Sequence, residues 1–598
     1  VMALDYESHQ GIATSVGHAP VSGLINSEAG SRNSIAEALT NIIWAPLKDG
    51  LKSVSLSANW MWPCKNPGED ARLYKAVEAC SIFAIDLGIN IPTGKDSLSM
   101  KQKYPDQDVL SPGTVIISAA GHCHDIRKIV EPTLHRAGGS IFYINMSFSD
   151  LQLGGSSFAQ TINGIGDIAP DVTDALKFKQ AFDTVQQLIS SEMIAAGHDI
   201  GSGGLVTTLL EMCFADTNLG ADIDLSSLDV NDSIRLLFAE NVGIVFQVVQ
   251  GAENIITALF DDLGMEVHLI GKATSTPVLN IKNKEDKYLL DIPKYRDIWY
   301  KTSYLMDIRQ SGAIKARERF DNYKNQSLQF EFPNGFDGKL PILPTEGKRI
   351  KAAVIREKGS NSERELANAL YMAGFDVKDV HMTDLISGRE TLEDIRYIGA
   401  VGGFSNSDVL GSAKGWAGAF KYNEKAKTSL DNFFKRTDTL SVGICNGCQL
   451  FVELGLLYPE HPHAPKMDHN ESRKHESSFT SVSIAANHSI MMHSLEGSTL
   501  GVWISHGEGK FVLKGKESDY HIVAKYGHET YPANPNGSDY NTAMMCSADG
   551  RHLVMMPHIE RSTFQWNWAH YPSERKDEVS PWLEAFINAR IWLENNQL

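Results

Sequence analysis

A seven-residue segment at positions 443–449, with the sequence GICNGCQ, carries the strongest chemical signal in the chain. It follows an apolar run, residues 440–444, that is typical of a buried strand, and it leads into a helical pattern. Glycines beside a cysteine at a strand-to-helix turn permit the sharp bend of a nucleophile elbow, and a helix start generally favours a thiolate. Cys445 is therefore a candidate nucleophile.

The residues alone leave two other interpretations of these cysteines open. The spacing of Cys445 and Cys448 also fits a redox-active dithiol, and either thiol could be a small buried side chain. The redox interpretation is disfavoured because the motif follows at least three predicted strands instead of opening a thioredoxin-like unit. If Cys445 is the nucleophile, the backbone N–H of Asn446 and that of Gly403, in the turn at residues 402–404, could bind a tetrahedral oxyanion.

A base and an orienting group for the thiol lie near the C-terminal end of the chain. His558 and Glu560 follow an apolar strand, residues 552–556, and alternate residues of an extended chain point to the same side. Glu560 could then hold the imidazole while the imidazole faces the thiol. A surface histidine is the alternative, since the chain has 20 histidines. Together with Cys445, the pair favours a catalytic triad.

Four further histidines, His461, His463, His469 and His475, lie between the elbow and the triad histidine. Their spacing does not match a zinc site, and the segment contains two prolines. We predict a solvated loop here.

Side-chain oxygens in the N-terminal part suggest a second site, for a hard cation. Glu37 and Asn41 lie four residues apart on one face of a predicted helix, so both could reach one ion. A solvated helix face is the alternative. Farther along, Asp199 precedes a glycine-rich turn, residues 201–204, whose backbone N–H groups, beginning at Gly201, could bind phosphate. Standard nucleotide-binding loops match neither this turn nor any other segment.

The predicted secondary structure around these groups differs between the two halves of the chain. In the N-terminal half, strands mix with helices in an α+β or α/β pattern; the predicted helices are residues 33–43, 69–87, 174–196 and 204–215. After residue 347, short apolar strands alternate with helices, which predicts a parallel sheet. The predicted domains are residues 1–120, 121–292, 293–346 (a helical segment and linker) and 347–598.

Composition and charge exclude several classes of protein. The chain has 598 residues, 42% of them hydrophobic and 21% charged, which is typical of a globular protein with several domains. Its formal net charge of −18 disfavours a nucleic-acid-binding surface. Seven scattered cysteines, the lack of a membrane-spanning apolar stretch and the lack of a secretory signal predict a cytoplasmic protein. A strand-like start without a leader predicts that the chain begins inside a larger protein.

Several motifs together resemble the phosphoribosylformylglycinamidine synthase family. In the C-terminal part they are GICNGCQ (443–449), GGFS (402–405), YPANPNGS (531–538) and PHIER (557–561). In the N-terminal part they are EALTNI (37–42), SANWM (57–61), GKDSLSM (94–100) and LGGS (153–156). The resemblance spans nearly the whole chain. It implies a multidomain α/β and α+β fold, in which a two-lobe module like aminoimidazole ribonucleotide synthetase precedes a flavodoxin-like class I glutamine amidotransferase domain.

The resemblance also implies a reaction and roles for particular residues. Formylglycinamide ribonucleotide, glutamine, ATP and water would give the amidine ribonucleotide, glutamate, ADP and phosphate. Cys445 would form a thioester with glutamine, His558 would act as general base and acid, and Glu560 would orient His558. Gln449 would contact the substrate glutamine.

Magnesium and ATP are the ligands that the resemblance implies for the N-terminal part. Glu37, Asn41 and Asp199 match the family's magnesium positions, where the metal would neutralise ATP phosphates. Gly201 replaces the serine that the family's turn carries, and the glycine-rich ATP loop of the family's first synthetase half is absent from this sequence. We therefore expect the C-terminal part of a longer enzyme, partnered by its N-terminal half. The alternative is a glutaminase attached to a nucleotide-binding, non-catalytic structural module.

Overall fold

The computed structural model describes residues 1–343 and 349–596, which divide into two compact units, Val1–Trp299 and Tyr300–Leu598. The end of the predicted linker, with the predicted boundary between residues 346 and 347, lies outside the described residues. Within those ranges, no helix is both long and apolar enough to cross a membrane.

Unit 1, residues 1–299, contains two β-sheets and a small hairpin. Its strands are β1 (Met2–Ala3), β2 (Gly11–His18), β3 (Val54–Met61), β4 (Asn90–Ser97), β5 (Lys101–Lys103), β6 (Asp108–Leu110), β7 (Thr114–Cys123), β8 (Ile141–Ile144), β9 (Ile194–Asp199), β10 (Gly220–Asp224), β11 (Ile244–Val248), β12 (His268–Thr274), β13 (Val278–Asn283) and β14 (Asp286–Asp291). Its helices are α1 (Pro20–Ile25), α2 (Ser27–Ile42), α3 (Glu69–Leu87), α4 (Ser157–Thr161), α5 (Ala175–Ser190), α6 (Gly204–Phe214), α7 (Ser233–Phe238), α8 (Glu253–Asp262) and the start of α9 (Ile292–Asn322).

The first sheet of unit 1 has the strand order β1-β2-β7-β3-β4. Strand β2 alternates between buried and exposed positions, with Ala13 and Gly17 inside and Ile12 and Val16 outside. Helix α2 packs on the inner face, because its apolar side chains, such as Ile35 and Leu39, are fully buried in the same core. The opposite face of β2 is left open to solvent.

The second sheet has the order β14-β13-β10-β12-β8-β11-β9, and it corrects one prediction. The helix predicted to reach residue 196 ends at Ser190, because the chain turns through a left-handed residue, Glu192 (φ 57°), and continues as β9. The hairpin of β13 and β14 lies at one edge of the sheet. Its buried residues, Leu279 and Ile281, alternate with polar ones and fill the sheet's core.

Unit 2, residues 300–598, is built around one large sheet. Its strands are β15 (Lys351–Arg356), β16 (Ser360–Asn361), β17 (Asp376–His381), β18 (Tyr397–Ala400), β19 (Gly402–Gly403), β20 (Leu440–Ile444), β21 (Lys466–Asp468), β22 (Glu476–Ile484), β23 (Thr499–His506), β24 (Lys510–Val512), β25 (Ile522–Tyr526), β26 (Thr542–Cys546) and β27 (His552–Met555). After the end of α9, its helices are α10 (Glu363–Ala373), α11 (Met382–Ser387), α12 (Lys414–Tyr422), α13 (Glu424–Lys435), α14 (Asn446–Glu453) and α15 (Leu583–Asn595).

The large sheet has nine strands in the order β17-β15-β18-β20-β27-β26-β25-β22-β23. The first five are parallel to one another, which confirms the parallel sheet predicted after residue 347 for this part of the unit. The remaining strands are antiparallel. Strands β18, β20 and β27 are buried along their whole length. Because they are adjacent and parallel, their carboxyl ends share one edge in the middle of the sheet.

Candidate active site

Three neighbouring parallel strands of unit 2 deliver the predicted nucleophile, base and oxyanion groups to one place. Strand β20 lies between β18 and β27, and all three run in the same direction. The chain continues from β18 to Gly403, from β20 to Cys445 and from β27 to His558. The crevice outside the carboxyl ends of parallel strands is where α/β proteins place their ligands.

Cys445 occupies the sharp turn between β20 and α14. Its backbone has φ 52° and ψ −104°, a strained conformation for a residue with a side chain, and α14 begins at the next residue. The flanking glycines make the turn possible: a Cβ on Gly447 would lie 2.1 Å from the carbonyl oxygen of Ala400, and one on Gly443 would lie 2.5 Å from that of Gly447. The predicted elbow geometry is therefore present.

Cys448 lies one helical turn farther along α14 and is completely buried. Burial, with the nearby Cys445, raises the pKa of the Cys448 thiol well above its ordinary value. Both cysteines are free thiols. The arrangement favours reactivity at Cys445 alone over a dithiol pair.

His558 and Glu560 form a buried pair beside Cys445. His558 Nδ1 lies 2.7 Å from Glu560 Oε1, and each residue is 2% exposed. Burial alone would lower the pKa of His558, but the charge of Glu560 and the proximity of Cys445 outweigh it and raise this pKa to about 10. Burial opposes ionisation of Glu560 too, but His558 and Arg561 keep the pKa of Glu560 below its usual value. The geometry is that of an imidazolium held between a carboxylate and a thiol.

The backbone around this pair differs from the predicted extended strand. Strand β27 ends at Met555, and residues Ile559–Arg561 form a 3₁₀ turn. Glu560 reaches His558 because this turn folds the carboxylate back onto the imidazole, not because alternate residues share a side. The prediction of closeness holds, but the reason given for it was wrong.

The turn after β18 closes the site from the other side. A Cβ on Gly402 would lie 2.8 Å from His558 Cε1 and 3.5 Å from Cys445 Cβ, so only glycine fits between the two side chains. Gly403 has φ 111°, in the region that favours glycine. Both glycines pair with β16 in a short antiparallel ladder, which fixes the turn that carries the predicted oxyanion donor.

Asn446 and Gln449 hold the loops around the site. Asn446 Nδ2 donates a hydrogen bond to Gln449 Oε1 at 2.9 Å, and Asn446 Oδ1 accepts one from the backbone N–H of Ser405 at 3.3 Å. Gln449 Nε2 donates to the carbonyl oxygen of Glu508 at 2.7 Å. The side chain of Gln449 thus lines the cavity, but both the oxygen and the nitrogen of its amide already form hydrogen bonds within the protein.

A cavity of about 220 Å³ is lined by Cys445 and by acidic and basic side chains. The acidic residues are Asp408 and Glu508, which bind the Oγ and the backbone N–H of Ser412. Burial and the charge of Glu508 raise the pKa of Asp408. The basic residues are Arg473, Lys474 and Arg561.

Sequence reasoning missed most of this cavity wall. The segment of histidines predicted to be a solvated loop contributes His469 and His475, together with Arg473 and Lys474, to the lining. His461 instead packs against Tyr520, with ring centroids 5.1 Å apart. The cavity residues come from segments far apart in sequence, and only the cluster of histidines and cations between 469 and 475 gave a signal.

In unit 1, a smaller cavity of about 140 Å³ contains part of the predicted cation and phosphate site. Glu37 and Gly201 line it, whereas Asn41 and Asp199 are not among its lining residues. Glu37 Oε2 accepts a hydrogen bond from the backbone N–H of His18 at 2.8 Å. Burial, and to a smaller extent the charge of Asp199, raise the pKa of Glu37. The two carboxylates are therefore close enough to repel each other.

The amide of Asn41 is turned toward the backbone, with Nδ2 donating to the carbonyl oxygens of Glu37 at 3.1 Å and Val16 at 3.4 Å. Across residues 1–343 and 349–596, no three or more His, Cys, Asp or Glu side chains are grouped so that they could hold a metal. The fit to magnesium rests on donor chemistry: two neighbouring carboxylates and a nearby amide are oxygen donors of the kind that a hard cation prefers.

Glu240 is a residue of this cavity that sequence reasoning did not find. One oxygen, Oε1, accepts hydrogen bonds from the backbone N–H groups of Gly203 and Ser157, each at 2.7 Å. Gly203 is the left-handed N-cap of α6 (φ 90°). A carboxylate of the chain itself therefore occupies N–H groups of the glycine-rich turn that was predicted to bind phosphate.

Both units match families of known proteins. Residues 349–593 match the family described as a CobB/CobQ-like glutamine amidotransferase domain, residues 1–122 an FGAR-AT PurM_N-like domain, and residues 136–283 the C-terminal domain of AIR synthase related proteins. A protein of Arabidopsis thaliana named "Probable phosphoribosylformylglycinamidine synthase, chloroplastic/mitochondrial" is 39% identical over 100% of this chain and 44% of its own length. The human phosphoribosylformylglycinamidine synthase is 37% identical over 99% of the chain and 47% of its own length.

This chain belongs to the phosphoribosylformylglycinamidine synthase family. It spans about half the length of the curated phosphoribosylformylglycinamidine synthases that it matches. Among solved structures, one described as PurLQS from Thermotoga maritima is 25% identical, covering 41% of this chain and 100% of that chain, with a TM-score of 0.33. Membership in the family confirms the resemblance that the sequence motifs indicated, and the fold expected of the family, an AIR-synthetase-like part followed by a glutamine amidotransferase domain, is confirmed as well.

Proposed function

We propose that unit 2 hydrolyses glutamine through a thioester on Cys445, and that the protein uses the ammonia for ATP-dependent conversion of formylglycinamide ribonucleotide to formylglycinamidine ribonucleotide, a step of purine biosynthesis. The observation that carries this proposal is the placement of Cys445, His558 and Glu560 at the ends of adjacent parallel strands, with His558 and Glu560 2.7 Å apart.

In the proposed hydrolysis, the Cys445 thiolate attacks the γ-carbon of glutamine. An S–C bond forms, and the carbonyl oxygen becomes an oxyanion that the N–H groups of Asn446 and Gly403 stabilise. Collapse of this intermediate breaks the C–N bond, and the His558 imidazolium gives a proton to the leaving nitrogen, which departs as ammonia. Water then attacks the thioester and His558 takes its proton, so that glutamate leaves and the thiol is restored.

The charged lining of the cavity supports an amino acid as the substrate. The α-ammonium group of glutamine suits the carboxylates of Asp408 and Glu508, and its α-carboxylate suits the cations among Arg473, Lys474 and Arg561. A cavity lined by charges of both signs can hold both charged groups of a zwitterion and thereby orient its side chain.

For unit 1, we propose a magnesium–nucleotide site at Glu37, Asn41, Asp199 and Gly201. Magnesium, when bound, would neutralise phosphate charge during phosphoryl transfer from ATP. Glu37 and Asp199 would supply carboxylate oxygens and Asn41 an amide oxygen, whereas Gly201 lines the space next to Glu37. A cation between the two carboxylates would also relieve the repulsion between them.

One observation favours the alternative, in which unit 1 is a nucleotide-binding structural module without turnover. Glu240 already accepts the N–H groups of Gly203 and Ser157. A phosphate group at the start of α6 would have to displace this carboxylate, or would be repelled by it. The alternative is thus a glutaminase linked to a synthetase-like part that does not transfer phosphate at this turn.

The partner that we propose is an N-terminal synthetase half of the same polypeptide. The chain covers 44% to 48% of the length of its curated relatives. The open face of the first sheet in unit 1 exposes apolar side chains, with Ile12 at 37% and Val16 at 55%, and a homologous half could cover it. We further propose a cytoplasmic location and domain limits at residues 1–120, 121–292, 293–346 and 347–598.

The glutaminase proposal is tested by labelling the chain with 6-diazo-5-oxo-L-norleucine, an electrophilic analogue of glutamine. One adduct is expected, on Cys445, because Cys448 is buried and its thiol resists ionisation. Peptide mapping would locate the adduct. Cys445→Ser should abolish labelling, and Cys448→Ala is the matched control that should keep it. An adduct on Cys448, or on both cysteines equally, would contradict the assignment.

The synthetase proposal is tested by supplying ammonia, ATP, magnesium and formylglycinamide ribonucleotide to the 598-residue chain alone. We expect no ADP or amidine product, because in-line phosphoryl transfer needs phosphate contacts on both sides, and the proposed ligands Glu37, Asn41 and Asp199 would hold only the metal side. Adding the N-terminal half in trans should restore synthesis. Steady turnover without it would show that the nucleotide site uses residues other than those proposed.

A further inference from the structure

His506, at the end of β23, lies in the wall of the unit 2 cavity together with Cys445 and His558. It is 3% exposed, and its Nε2 atom is buried without a hydrogen-bond partner among the residues that the structure describes. Buried polar atoms are nearly always paired, so an unpaired one in a cavity wall calls for a ligand that completes it.

Asn470 determines which ring nitrogen of His506 carries the proton. Asn470 Nδ2 donates to two carbonyl oxygens, that of Lys474 at 3.1 Å and that of His506 at 2.7 Å. Asn470 Oδ1 accepts from the backbone N–H of Gly509 at 3.0 Å, so the amide can have only this orientation. His506 Nδ1 lies 3.1 Å from the same Oδ1 and must therefore be the protonated nitrogen. Nε2 is left with a lone pair.

The ring is also fixed in position and in charge. A Cβ on Gly509 would lie 2.4 Å from His506 Nδ1, so this glycine lets the loop pack directly on the imidazole. Burial, with the nearby imidazolium of His558, lowers the pKa of His506 to about 3. The imidazole is therefore neutral at physiological pH, and Nε2 acts as a hydrogen-bond acceptor only.

The carboxylates of Asp408 and Glu508 in this cavity are assigned to the α-ammonium group of glutamine, so the acceptor for the γ-carboxamide has to come from another residue. The oxyanion groups at Asn446 and Gly403 are donors, and so is protonated His558. The oxygen of Gln449, which also lines the cavity, accepts from Asn446. The γ-carboxamide of glutamine has two N–H groups, which need hydrogen-bond acceptors when they are buried in the cavity.

We propose that His506 Nε2 accepts a hydrogen bond from the γ-carboxamide N–H of bound glutamine, and that His506 is thereby a specificity-determining residue for the amide. This inference rests on the proposed glutaminase function and deepens it. Glutamate has a carboxylate in place of the carboxamide and offers no N–H to the neutral imidazole. A site built around a fixed acceptor discriminates against a ligand that lacks the matching donor.

The test compares an amide with an ester in the same variant. His506→Ala should lower kcat/KM for glutamine by about 10- to 100-fold, because the carboxamide loses its acceptor. Hydrolysis of L-glutamic acid γ-methyl ester, which has no N–H on its leaving group, should be nearly unchanged. His506→Gln, which can present an oxygen to the same N–H, should recover part of the loss for glutamine. An equal loss for amide and ester would overturn the proposal, because a merely structural role predicts it.

The controls separate this inference from the function on which it rests. If the wild-type chain hydrolyses neither substrate and Cys445 is not alkylated, the glutaminase proposal fails. If the wild type hydrolyses both and His506→Ala leaves the ratio of amide to ester unchanged, only the role of His506 fails. His475→Ala, in the same wall, should not alter that ratio. Should His506→Ala not fold, Gly509→Ala displaces the same ring and must give the same amide-selective loss.

Discussion

The two proposed sites of this protein are built in opposite ways. In unit 2, Cys445, His558 and Glu560 are each no more than 5% exposed and are already in place. In unit 1, the side chain of Glu37 is 28% exposed, Asn41 is exposed, and the cavity is lined by Glu37 without Asn41 or Asp199. One site is assembled by the fold alone, and the other has its donors dispersed around a polar cavity.

The difference follows from the chemistry that each site is proposed to perform. A covalent nucleophile works only when its base and oxyanion donors are held in fixed positions, so neighbouring strands of one sheet supply all of them. A metal–phosphate site gains its geometry from the ion and the nucleotide, which bring charges that the protein cannot hold together by itself. Substitutions in each site test this difference.

Glu560→Gln tests whether the unit 2 site depends on its buried charge. We expect glutamine hydrolysis to fall by about 10²- to 10⁴-fold, because the neutral amide no longer holds His558 as an imidazolium. Steady-state glutaminase assays measure the effect. Glu453→Gln, an exposed glutamate on α14, is the matched control. A loss smaller than tenfold would mean that the pair is only structural.

Gly402→Ala tests the close packing of the same site. The added Cβ would lie 2.8 Å from His558 Cε1, so the imidazole must shift, and a misplacement of this kind costs about 10²-fold in rate. Gly418→Ala, on α12, is the control, since its Cβ would meet no atom closer than 3.9 Å. Rates of alkylation and hydrolysis at Cys445 should fall in the first variant and not in the second. Unchanged rates would show that the site has room to adapt.

Glu37→Ala tests the dispersed site. Magnesium–ADP affinity, measured by calorimetry in the complete enzyme, should weaken by at least about 10-fold, because one charged oxygen donor is removed. Labelling of Cys445 should proceed at the wild-type rate. Glu78→Ala, an exposed acid on α3, serves as the control. Unaltered nucleotide affinity would show that Glu37 does not bind the metal. Slower labelling of Cys445 would show that the two sites are not independent.

The smallest expected effect is on the pH dependence of the stability of unit 2. The pKa of His558 in the folded protein, about 10, exceeds its value in an unfolded chain, so its protonation stabilises the fold fully below about pH 6.5 and progressively less as pH rises to about 10. Glu560→Gln should reduce this pH dependence by about 1 kcal/mol or more. Hydrogen exchange of peptides from β20 and β27 in urea, at both ends of the range, reports the local stability. Equal pH dependence in wild type and variant would contradict the assigned charge on His558.

The sequence was informative wherever the geometry is local. The turn at Cys445 could be predicted because two glycines, a cysteine and an apolar strand are adjacent in the chain. His558 and Glu560 are two residues apart, so their closeness was predictable even though the backbone between them is a 3₁₀ turn. The parallel direction of β18 and β20 followed from the alternation of strands and helices, whereas the place of β27 beside β20 did not, because β21 to β26 precede it without intervening α-helices.

The remaining parts of both sites depend on contacts between distant segments. Ser412 binds the carboxylates of both Asp408 and Glu508, and its contact with Glu508 spans 96 residues of sequence. The orientation of His506 depends on Asn470, 36 residues earlier in the chain. Glu240 lies at the end of an ordinary helical segment, and nothing in its neighbourhood indicates that it reaches Gly203. Such groups have no periodicity or motif through which a sequence could reveal them.

The strained turn at Cys445 also affects how the protein loses activity on heating or storage. A side-chain-bearing residue at φ 52° and ψ −104° stores of the order of 1–3 kcal/mol, and it persists only while the packing of β20, α14 and the turn at Gly402 enforces it. Any loosening of that packing lets the thiol relax first, because the relaxation releases strain. On heating or storage, glutaminase activity should therefore decay while the secondary structure measured by circular dichroism is still intact.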